Sequence, residues 1–424
     1  MEKFLIFGGK PLNGSVEIKS AKNAVLPIMA ASILCKQKVI LKNVPKLTDI
    51  KNMCKILRYL GCKVKRNKDV LIIDSSTINR YEIPYSLSSK LRASIFLLGP
   101  LLALFKKSKL SYPGGCNIGN RPIDIHLSSL EKLGVEVTEQ HGFLLFDASC
   151  FKATELRLRL PSVGATENLI MSAVLSKGKT IINNCAKEPE IIDLQNFLNS
   201  MGADIEGAGT CKIIVRGVEG LKGVTYTPVF DRIVAGTYMI ATMICGGNVE
   251  LSNVKREYLA SLIDIFQTND CQIRCYDDKI KVQCNGRLNS VPYIETNPYP
   301  EFPTDLQAQL MALQTVSKGT SVIVENLFET RFKHVPQLTR MGADITIKNN
   351  YAIVCGKEQL SGAEVFATDL RAGACLVLAG LKANGYTIVN DIFHIDRGYD
   401  HIEKDLQKLG ADIKRVEKWK IKNC

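Results

Sequence analysis

The chain has 424 residues, of which 46% are hydrophobic and 23% charged, and its formal net charge is +13. This length exceeds a single hydrophobic core and predicts two or three globular domains. The longest apolar run, residues 95–105, is interrupted by Gly99-Pro100 and is shorter than the ~20 residues that a membrane-spanning helix needs. Segment 1–10 has too short an apolar stretch for a signal peptide, so we expect a cytoplasmic protein with no membrane partner.

The cysteines, histidines and net charge exclude several classes of protein. The 14 cysteines and 5 histidines are scattered, with neither a Cys-x-x-Cys pair nor a metal-ligand spacing. We therefore expect reduced thiols and neither a metal nor another cofactor. The positive charge is compatible with nucleic acid, but no recognition motif or basic tail accompanies it. The charge is also compatible with a preference for anionic small molecules or with a lysine-rich proteome alone, and the oligomeric state stays open.

A segment typical of a helix, ending in a glycine turn and followed by a strand, recurs at intervals of roughly 70 residues. A degenerate copy covers residues 263–273, and the turn glycines of the clear copies are Gly61, Gly134, Gly202, Gly342 and Gly410. Strands rich in β-branched residues precede most copies, at 38–44, 179–184, 247–253, 321–326 and 386–390. The pattern predicts an α/β protein with six βαβαββ-type units, three in each of two similar domains of about 200 residues.

One of the six equivalent loops differs from the others. After the predicted strand 107–112 comes Pro113-Gly-Gly-Cys116, and Arg121 follows five positions later. Glycines tolerate backbone angles closed to other residues, and a nearby guanidinium favours the thiolate of Cys116. The functional interpretation is a reactive thiol beside an anionic substrate. The alternative is a buried cysteine in an ordinary turn.

Three other segments place polar side chains where a helix is predicted to begin. These are Lys22-Asn23, the turn at 161–168 and Asp305, which follows the proline-rich loop 297–303. Helix starts suit phosphate, carboxylate or sugar oxygens, and Asp305 could serve as a general base or hydroxyl anchor. The alternatives are a solvated lysine, a plain helix cap and an N-cap aspartate.

Arginines recur at turns that lead into helices of different repeats. Each alone could belong to a structural ion pair, but together they predict a dianionic or phosphate-bearing substrate that guanidinium groups bind in pairs of hydrogen bonds. The five are Arg92, Arg121, Arg331, Arg371 and Arg397.

Several of these segments resemble a known family, the UDP-N-acetylglucosamine enolpyruvyl transferases. The likeness extends from about Lys3 to Ala411, and its cysteine loop differs from the relative that acts in the shikimate pathway. The matching segments are Lys22-Asn-Ala, Pro113-Gly-Gly-Cys-x-Ile-Gly-x-Arg-Pro-Ile-Asp, Pro161-Ser-Val-Gly-Ala-Thr-Glu-Asn, Phe302-Pro-Thr-Asp-Leu-Gln, Arg331-Phe-x-His, Ala367-Thr-Asp-Leu-Arg-Ala and His394-Ile-Asp-Arg-Gly-Tyr.

The resemblance implies a fold of two inside-out α/β barrels, each built from three βαβαββ-type repeats. The first domain would be discontinuous, with residues 1–20 and 230–424. The second would cover 21–229 and carry the cysteine loop 112–122. Arg331, Asp369, Arg371 and Arg397 would belong to a cleft that closes when substrate binds.

The resemblance also implies a reaction. The enolpyruvyl group of phosphoenolpyruvate passes to the 3-hydroxyl of UDP-N-acetylglucosamine by addition and elimination, and phosphate is released. Cys116 would be the acid at C3 and could form a covalent adduct, Asp305 the general base, and Lys22 and Arg397 part of the clamp on phosphoenolpyruvate. The other implied substrate-binding residues are Asn23, Arg92, Arg121, Pro122, Ile123, Asp124, Ile125, Ser162, Val163, Gly164, Leu327, Arg331, Asp369 and Arg371.

Four residues depart from the family pattern, namely Ser20, Val234, Glu301 and Thr330, and the departures bear on substrate affinity. Three other functions stay open. The acceptor could be that of the shikimate relative, the chain could be a paralogue that binds nucleotide sugar with little or no turnover, or repeated βα units could bind nucleic acid. The cysteine loop argues against the first, and the intact set of Lys22, Cys116, Asp305 and Arg397 argues against the second.

Overall fold

The computed structural model describes residues 2–114, 123–266 and 271–417. The described chain forms two compact units, and most close contacts lie within one unit or the other. Unit 1 contains residues 2–18 together with those from 230 onward, and unit 2 contains residues 19–114 and 123–229. Cys116, Arg121 and Pro122, three of the predicted site residues, lie outside the described ranges.

Helices and short strands alternate along unit 2, which follows the first two strands of unit 1. Unit 1 begins with β1 (Lys3–Phe7) and β2 (Leu12–Glu17). The helices of unit 2 are α1 (Lys22–Ala31), α2 (Thr48–Tyr59), α3 (Tyr85–Ser88), α4 (Leu98–Phe105), α5 (Asp124–Lys132), α6 (Val163–Ala173) and α7 (Pro189–Ser200). Its strands are β3 (Lys38–Leu41), β4 (Lys63–Asn67), β5 (Val70–Asp74), β6 (Glu82–Ile83), β7 (Lys107–Ser111), β8 (Glu136–Gln140), β9 (Phe143–Asp147), β10 (Glu155–Arg157), β11 (Lys179–Asn183), β12 (Asp204–Glu206), β13 (Lys212–Arg216) and β14 (Thr225–Tyr226).

The remainder of unit 1 follows the same alternation. Its helices are α8 (Arg232–Cys245), α9 (Ala260–Phe266), α10 (Thr304–Gln314), α11 (Val335–Arg340), α12 (Leu370–Lys382) and α13 (Ile402–Lys408). Its strands are β15 (Gly247–Ser252), β16 (Cys271–Cys275), β17 (Lys279–Cys284), β18 (Tyr293–Thr296), β19 (Thr320–Glu325), β20 (Asp344–Lys348), β21 (Tyr351–Cys355), β22 (Glu364–Phe366), β23 (Tyr386–Asn390) and β24 (Asp412–Val416). Short 3-10 helices cover Ser32–Cys35, Arg92–Leu97, Arg256–Leu259 and Ile392–Arg397.

The described strands form six four-stranded sheets, three in each unit, and all six share one topology. In each sheet one parallel pair is extended by two antiparallel partners, as in β10-β11-β13-β12. A parallel pair needs a crossover connection, and here a helix supplies it. The predicted six βαβαββ-type repeats are therefore confirmed. In β22-β23-β1-β24 the chain's first strand completes the last sheet.

Three helices form the centre of each unit, and the sheets pack around them. In unit 1 these helices are α8, α10 and α12. In unit 2 they are α1, α4 together with the 3-10 helix Arg92–Leu97 that precedes it, and α6. Every residue of α12 from Leu370 to Leu381 is buried. Helices that are apolar on all sides must be enclosed by other elements, so the barrels are inside-out, as predicted.

The repeated glycine turns adopt the conformation that their sequence predicts. All five have positive φ, between +81° and +104°, which residues with a Cβ atom rarely adopt. The turn glycines that show it are Gly61, Gly134, Gly202, Gly342 and Gly410.

The expectation that every thiol is reduced is wrong for one pair. Cys271 and Cys284 face each other across the antiparallel strands β16 and β17 and form a disulfide. Strand register brings the two together, and the scattered spacing gave no sign of it. Among the residues that the structure describes, no helix is long and apolar enough to cross a membrane.

Candidate active site

Asp305 lies at the start of the central helix α10, with two arginines on its carboxylate. Arg331 donates to Oδ1 over 2.9 Å, and Arg371 donates to Oδ2 over 3.1 Å. Both arginine side chains are buried, at 3% and 4% exposure, whereas that of Asp305 is 29% exposed. The N-cap of α10 is Pro303, so the alternative of an N-cap aspartate is wrong. The carboxylate of Asp305 is therefore held by two buried guanidinium groups and keeps part of its surface exposed.

A buried polar network supports this pair of arginines from behind. The hydroxyl of Tyr399 lies 3.4 Å from Nη1 of Arg371, 2.9 Å from the hydroxyl of Thr237 and 3.1 Å from Nε2 of Gln309. Burial alone would lower the pKa of Arg371, but the charges of Asp305 and other neighbours outweigh it and raise that pKa. The guanidinium therefore stays charged. Sequence analysis missed Tyr399, Thr237 and Gln309, because no spacing along the chain links them.

The starts of the other two central helices of unit 1 are fixed by aspartate caps. Asp369 accepts hydrogen bonds from the backbone N–H groups of Arg371 and Ala372, at 2.9 and 3.1 Å. Asp231 does the same at the start of α8, over 3.0 Å to Ile233 and Val234. Such caps satisfy N–H groups that a helix start leaves open. Asp369 thus sets the backbone position of Arg371.

Two further predicted residues of unit 1 are placed in turns. Arg397 is the last residue of the 3-10 helix Ile392–Arg397 and is half-buried. Leu327 follows β19 and is 39% exposed, and its backbone N–H donates to Glu325 over 2.9 Å. An exposed apolar side chain in a turn is available to a ligand.

In unit 2, Lys22 is the first residue of the central helix α1. Its ammonium group lies 2.9 Å from the carboxylate of Asp49, whose side chain is 3% exposed. Asp49 belongs to the first turn of α2 and was not singled out by sequence analysis. Asn23, the next residue of α1, is half-buried. The solvated-lysine alternative is wrong, since the side chain of Lys22 is only 14% exposed.

Arg92 begins the 3-10 helix that precedes α4, and it contacts the start of the cysteine loop. Its Nη1 donates to the carbonyl of Pro113 over 3.4 Å. The backbone N–H of Gly114 donates to the carbonyl of Ser88 over 3.3 Å, and a Cβ at position 114 would lie 1.8 Å from the carbonyl oxygen of Ser89. Gly114 is therefore required by close backbone approach, which fixes where the loop leaves β7.

Ser162, Val163 and Gly164 form the start of the central helix α6. Ser162 is its N-cap, and the side-chain oxygen accepts from the backbone N–H of Ala165 at 3.4 Å. A Cβ on Gly164 would lie 3.1 Å from the ring of His126. Burial lowers the pKa of His126 to about 4, with a contribution from the charge of Arg92, so this imidazole is neutral near pH 7.

The remaining predicted residues of unit 2 lie where α5 begins. Ile123 is its N-cap and is buried, and Asp124 and Ile125 are its first two residues. Asp124 pairs with Arg159 at the surface. Within the described ranges, no group of three or more histidine, cysteine, aspartate or glutamate side chains could hold a metal ion.

Comparison with known proteins agrees with this arrangement. The sequence profile of the family described as EPSP synthase (3-phosphoshikimate 1-carboxyvinyltransferase) matches residues 6–406. UDP-N-acetylglucosamine 1-carboxyvinyltransferase 2 of Caldanaerobacter subterraneus subsp. tengcongensis is 47% identical over 416 residues, 98% of this chain and 100% of that protein. The chain belongs to the enolpyruvyl transferase family. UDP-N-acetylglucosamine 1-carboxyvinyltransferase 1 of the same organism is 48% identical, over 97% of this chain and 99% of that protein.

The solved structure of the enolpyruvyl transferase NikO from Streptomyces tendae has the same fold. It superposes with a TM-score of 0.87 over 98% of this chain and 99% of its own, at 24% sequence identity. Sequence identity near one half over the full length places this chain with relatives named for UDP-N-acetylglucosamine. Their two numbered copies are almost equally similar to it, so identity does not assign it to either copy.

Proposed function

We propose that this protein transfers the enolpyruvyl group of phosphoenolpyruvate to the 3-hydroxyl of UDP-N-acetylglucosamine and releases phosphate. The observation that supports it most is Asp305, a partly exposed carboxylate on two buried arginines, in a chain 47% identical to named UDP-N-acetylglucosamine 1-carboxyvinyltransferases. The reaction would open peptidoglycan synthesis in the cytoplasm and so serve cell-wall growth, cell shape and division. The proposed domains are residues 1–20 with 230–424, and residues 21–229. Among the described residues, the two compact units differ from these domains in the assignment of residues 19 and 20.

In the proposed mechanism an acid acts on phosphoenolpyruvate and a base acts on the sugar hydroxyl. Cys116 gives a proton to C3 of phosphoenolpyruvate, so C2 becomes electrophilic. The sugar oxygen attacks C2 while Asp305 takes the hydroxyl proton. The resulting tetrahedral intermediate loses a proton from C3 and expels phosphate, which restores the enol double bond. Asp305 suits the part of base because its carboxylate is partly exposed and two buried arginines fix its orientation.

The charged groups bind and orient the substrates in this proposal. Lys22, Arg92, Arg121 and Arg397 hold the phosphate and carboxylate of phosphoenolpyruvate and stabilise negative charge that develops in the transition state. Arg331 and Arg371 hold the carboxylate of the base in one orientation. The nucleotide-sugar site is lined by Asn23, Arg121, Pro122, Ser162, Val163, Gly164 and Leu327. Ile123, Asp124 and Ile125 are further substrate-binding residues, and Asp369 belongs to the cleft that closes on substrate.

The test is release of phosphate from phosphoenolpyruvate with and without UDP-N-acetylglucosamine, in the wild type, in Cys116→Ala and in Cys150→Ala. Cys150 is an exposed free thiol of unit 2 and is the matched control. We expect sugar-dependent release in the wild type and the control, and its loss in Cys116→Ala. Release that survives in Cys116→Ala would assign the acid to another residue. Sugar binding without release in the wild type would instead support a paralogue that does not turn over.

A further inference from the structure

Arg415, on the edge strand β24, uses all five of its N–H groups on carboxylates. Nε and Nη2 donate to Glu403 over 3.1 and 3.2 Å, and Nη1 and Nη2 donate to the two oxygens of Asp396 over 3.0 and 2.6 Å. Nη1 also donates to Glu2 over 2.8 Å. Its guanidinium carbon lies 5.0 Å from the ring centre of Phe4, which is fully buried. A guanidinium has five such donors, so this side chain is held in one orientation.

Two of the three carboxylates that Arg415 contacts, those of Asp396 and Glu403, lie on either side of Arg397 along the chain. Asp396 immediately precedes Arg397 in the 3-10 helix Ile392–Arg397, and Glu403 lies in the first turn of α13. The intervening turn, 398–401, ends at His401, which has a φ of +57° and contacts Glu403 over 3.1 Å. The two ends of the segment that carries Arg397 are therefore joined by a single side chain.

We propose that Arg415 is a positioning residue for Arg397, which it holds in place through Asp396 and Glu403. The inference rests on the proposed function, in which Arg397 binds phosphoenolpyruvate. Arg397 ends a helix of only six residues. A 3-10 segment this short makes few backbone hydrogen bonds of its own. The fork of Arg415 adds to them, because two parallel hydrogen bonds fix direction as well as distance.

The charges of these carboxylates also indicate that Arg415 holds the segment of Arg397 together. The Glu403 side chain is 5% exposed and that of Asp396 is 29% exposed, and both contact the same guanidinium. Burial raises the pKa of Glu403, but the hydrogen bonds from Arg415 and other contacts outweigh burial and lower it. Without Arg415 the two carboxylates would share a site with no common cation, and like charges repel. Asp396 and Glu403 would then move apart, and Arg397, which lies between them in the chain, would be displaced.

The test uses Arg415→Lys, which keeps the charge but loses the five-donor fork, and Arg415→Gln, which loses both. We expect the KM for phosphoenolpyruvate to rise about tenfold in Arg415→Lys. A misplaced Arg397 would lose part of a hydrogen bond to a charged group, and a tenfold change is about 1.4 kcal/mol, which is less than such a bond contributes. The KM for UDP-N-acetylglucosamine should stay within about twofold of the wild type, because the proposed function assigns Arg397 to phosphoenolpyruvate and not to the sugar, and effects of independent sites do not spread to one another. In an Arg397→Ala background, Arg415→Lys should add less than about twofold, because residues that act through one another are not additive.

The matched control is Arg216→Lys. Arg216 is a strand arginine of unit 2 that pairs with Asp204 and Glu206 at 3.0 and 2.6 Å, and none of these residues neighbours a predicted site residue in sequence. Its KM values should equal those of the wild type. If Arg415→Lys fails to fold, Asp396→Asn serves instead, because it removes the charge and one of the two acceptor oxygens of Asp396 and leaves Glu403 paired with Arg415.

Three results would overturn the inference. One is an unchanged KM for phosphoenolpyruvate in a folded Arg415→Lys or Asp396→Asn protein that turns over. Another is full additivity with Arg397→Ala, which would show a structural role alone. A wild type that does not release phosphate at all would overturn the proposed function, and the inference with it. That last result is distinguishable from the other two because it needs no variant.

Discussion

Replacing Asp305 with asparagine changes charge and hydrogen bonding while keeping the side chain's shape. The carboxylate accepts one hydrogen bond from Arg331 on one oxygen and one from Arg371 on the other. An amide has one acceptor oxygen and one NH₂ donor. In Asp305→Asn one guanidinium therefore faces a donor, and two buried positive charges lose their common counterion.

The loss of unfolding free energy in Asp305→Asn depends on how deeply the ion pairs are buried. Removing one partner of a buried ion pair costs about 3–5 kcal/mol. Because Asp305 is 29% exposed and the arginines are 3% and 4% exposed, we expect the low end, about 3 kcal/mol of unfolding free energy. Loss of a general base lowers kcat by about 10²- to 10⁴-fold.

Two assays check these values, namely denaturant unfolding and sugar-dependent phosphate release. The control is Asp264→Asn, which removes a surface pair with Arg256 at 3.1 Å, in which the Asp264 side chain is 59% exposed. Such pairs contribute about 0–1 kcal/mol, and turnover should not change. A folded Asp305→Asn protein with kcat within about twofold of the wild type would refute the assignment of Asp305 as base, because losing a general base costs at least about 10²-fold.

Three more predictions follow from the described residues. Gly114→Ala should lower kcat, because its Cβ would lie 1.8 Å from the carbonyl oxygen of Ser89. The control is Gly220→Ala, which has open space around position 220 and should keep the kcat of the wild type. The rate of phosphate release measures kcat for both variants. Tyr399→Phe should lower the unfolding free energy by about 1–3 kcal/mol in a denaturant titration, since buried partners lose a hydroxyl. Burial raises the pKa of Glu167 well above its ordinary 4.5, so the folded state keeps a proton that the unfolded chain releases. The free energy of unfolding therefore falls as pH rises above about 4.5. Denaturant titrations at several pH values should show a smaller fall for Glu167→Gln, and an equal fall would contradict this.

The repeat architecture was predictable because its signals are local. A glycine with positive φ after an apolar helix marks each turn, as at Gly134 and Gly342, and needs no distant partner. Element ends were less accurate. The strand predicted at 38–44 ends at Leu41, and the apolar stretch 95–105 divides into a 3-10 segment and the helix α4. Competition between α and 3-10 hydrogen bonding at a helix start has no clear sequence signal.

The environment of the candidate site depended on long-range packing and could not be predicted. Asp305 and Arg371 are 66 positions apart and meet because two central helices pack side by side. The partner of Lys22 is Asp49 on another helix, and Tyr399 joins the network from a turn. The Cys271–Cys284 disulfide depends on strand register in the same way. Residue types and motifs indicated the chemistry, but packing decides which side chains meet.

The most direct test of the central claim is the choice of acceptor. Purified wild-type protein is incubated with phosphoenolpyruvate and either UDP-N-acetylglucosamine or shikimate 3-phosphate, and the products are identified by mass spectrometry. The account predicts an enolpyruvyl ether of UDP-N-acetylglucosamine, formed together with one phosphate for each product molecule, and no reaction with shikimate 3-phosphate. An enolpyruvyl product of shikimate 3-phosphate, or consumption of phosphoenolpyruvate with no sugar product, would contradict it.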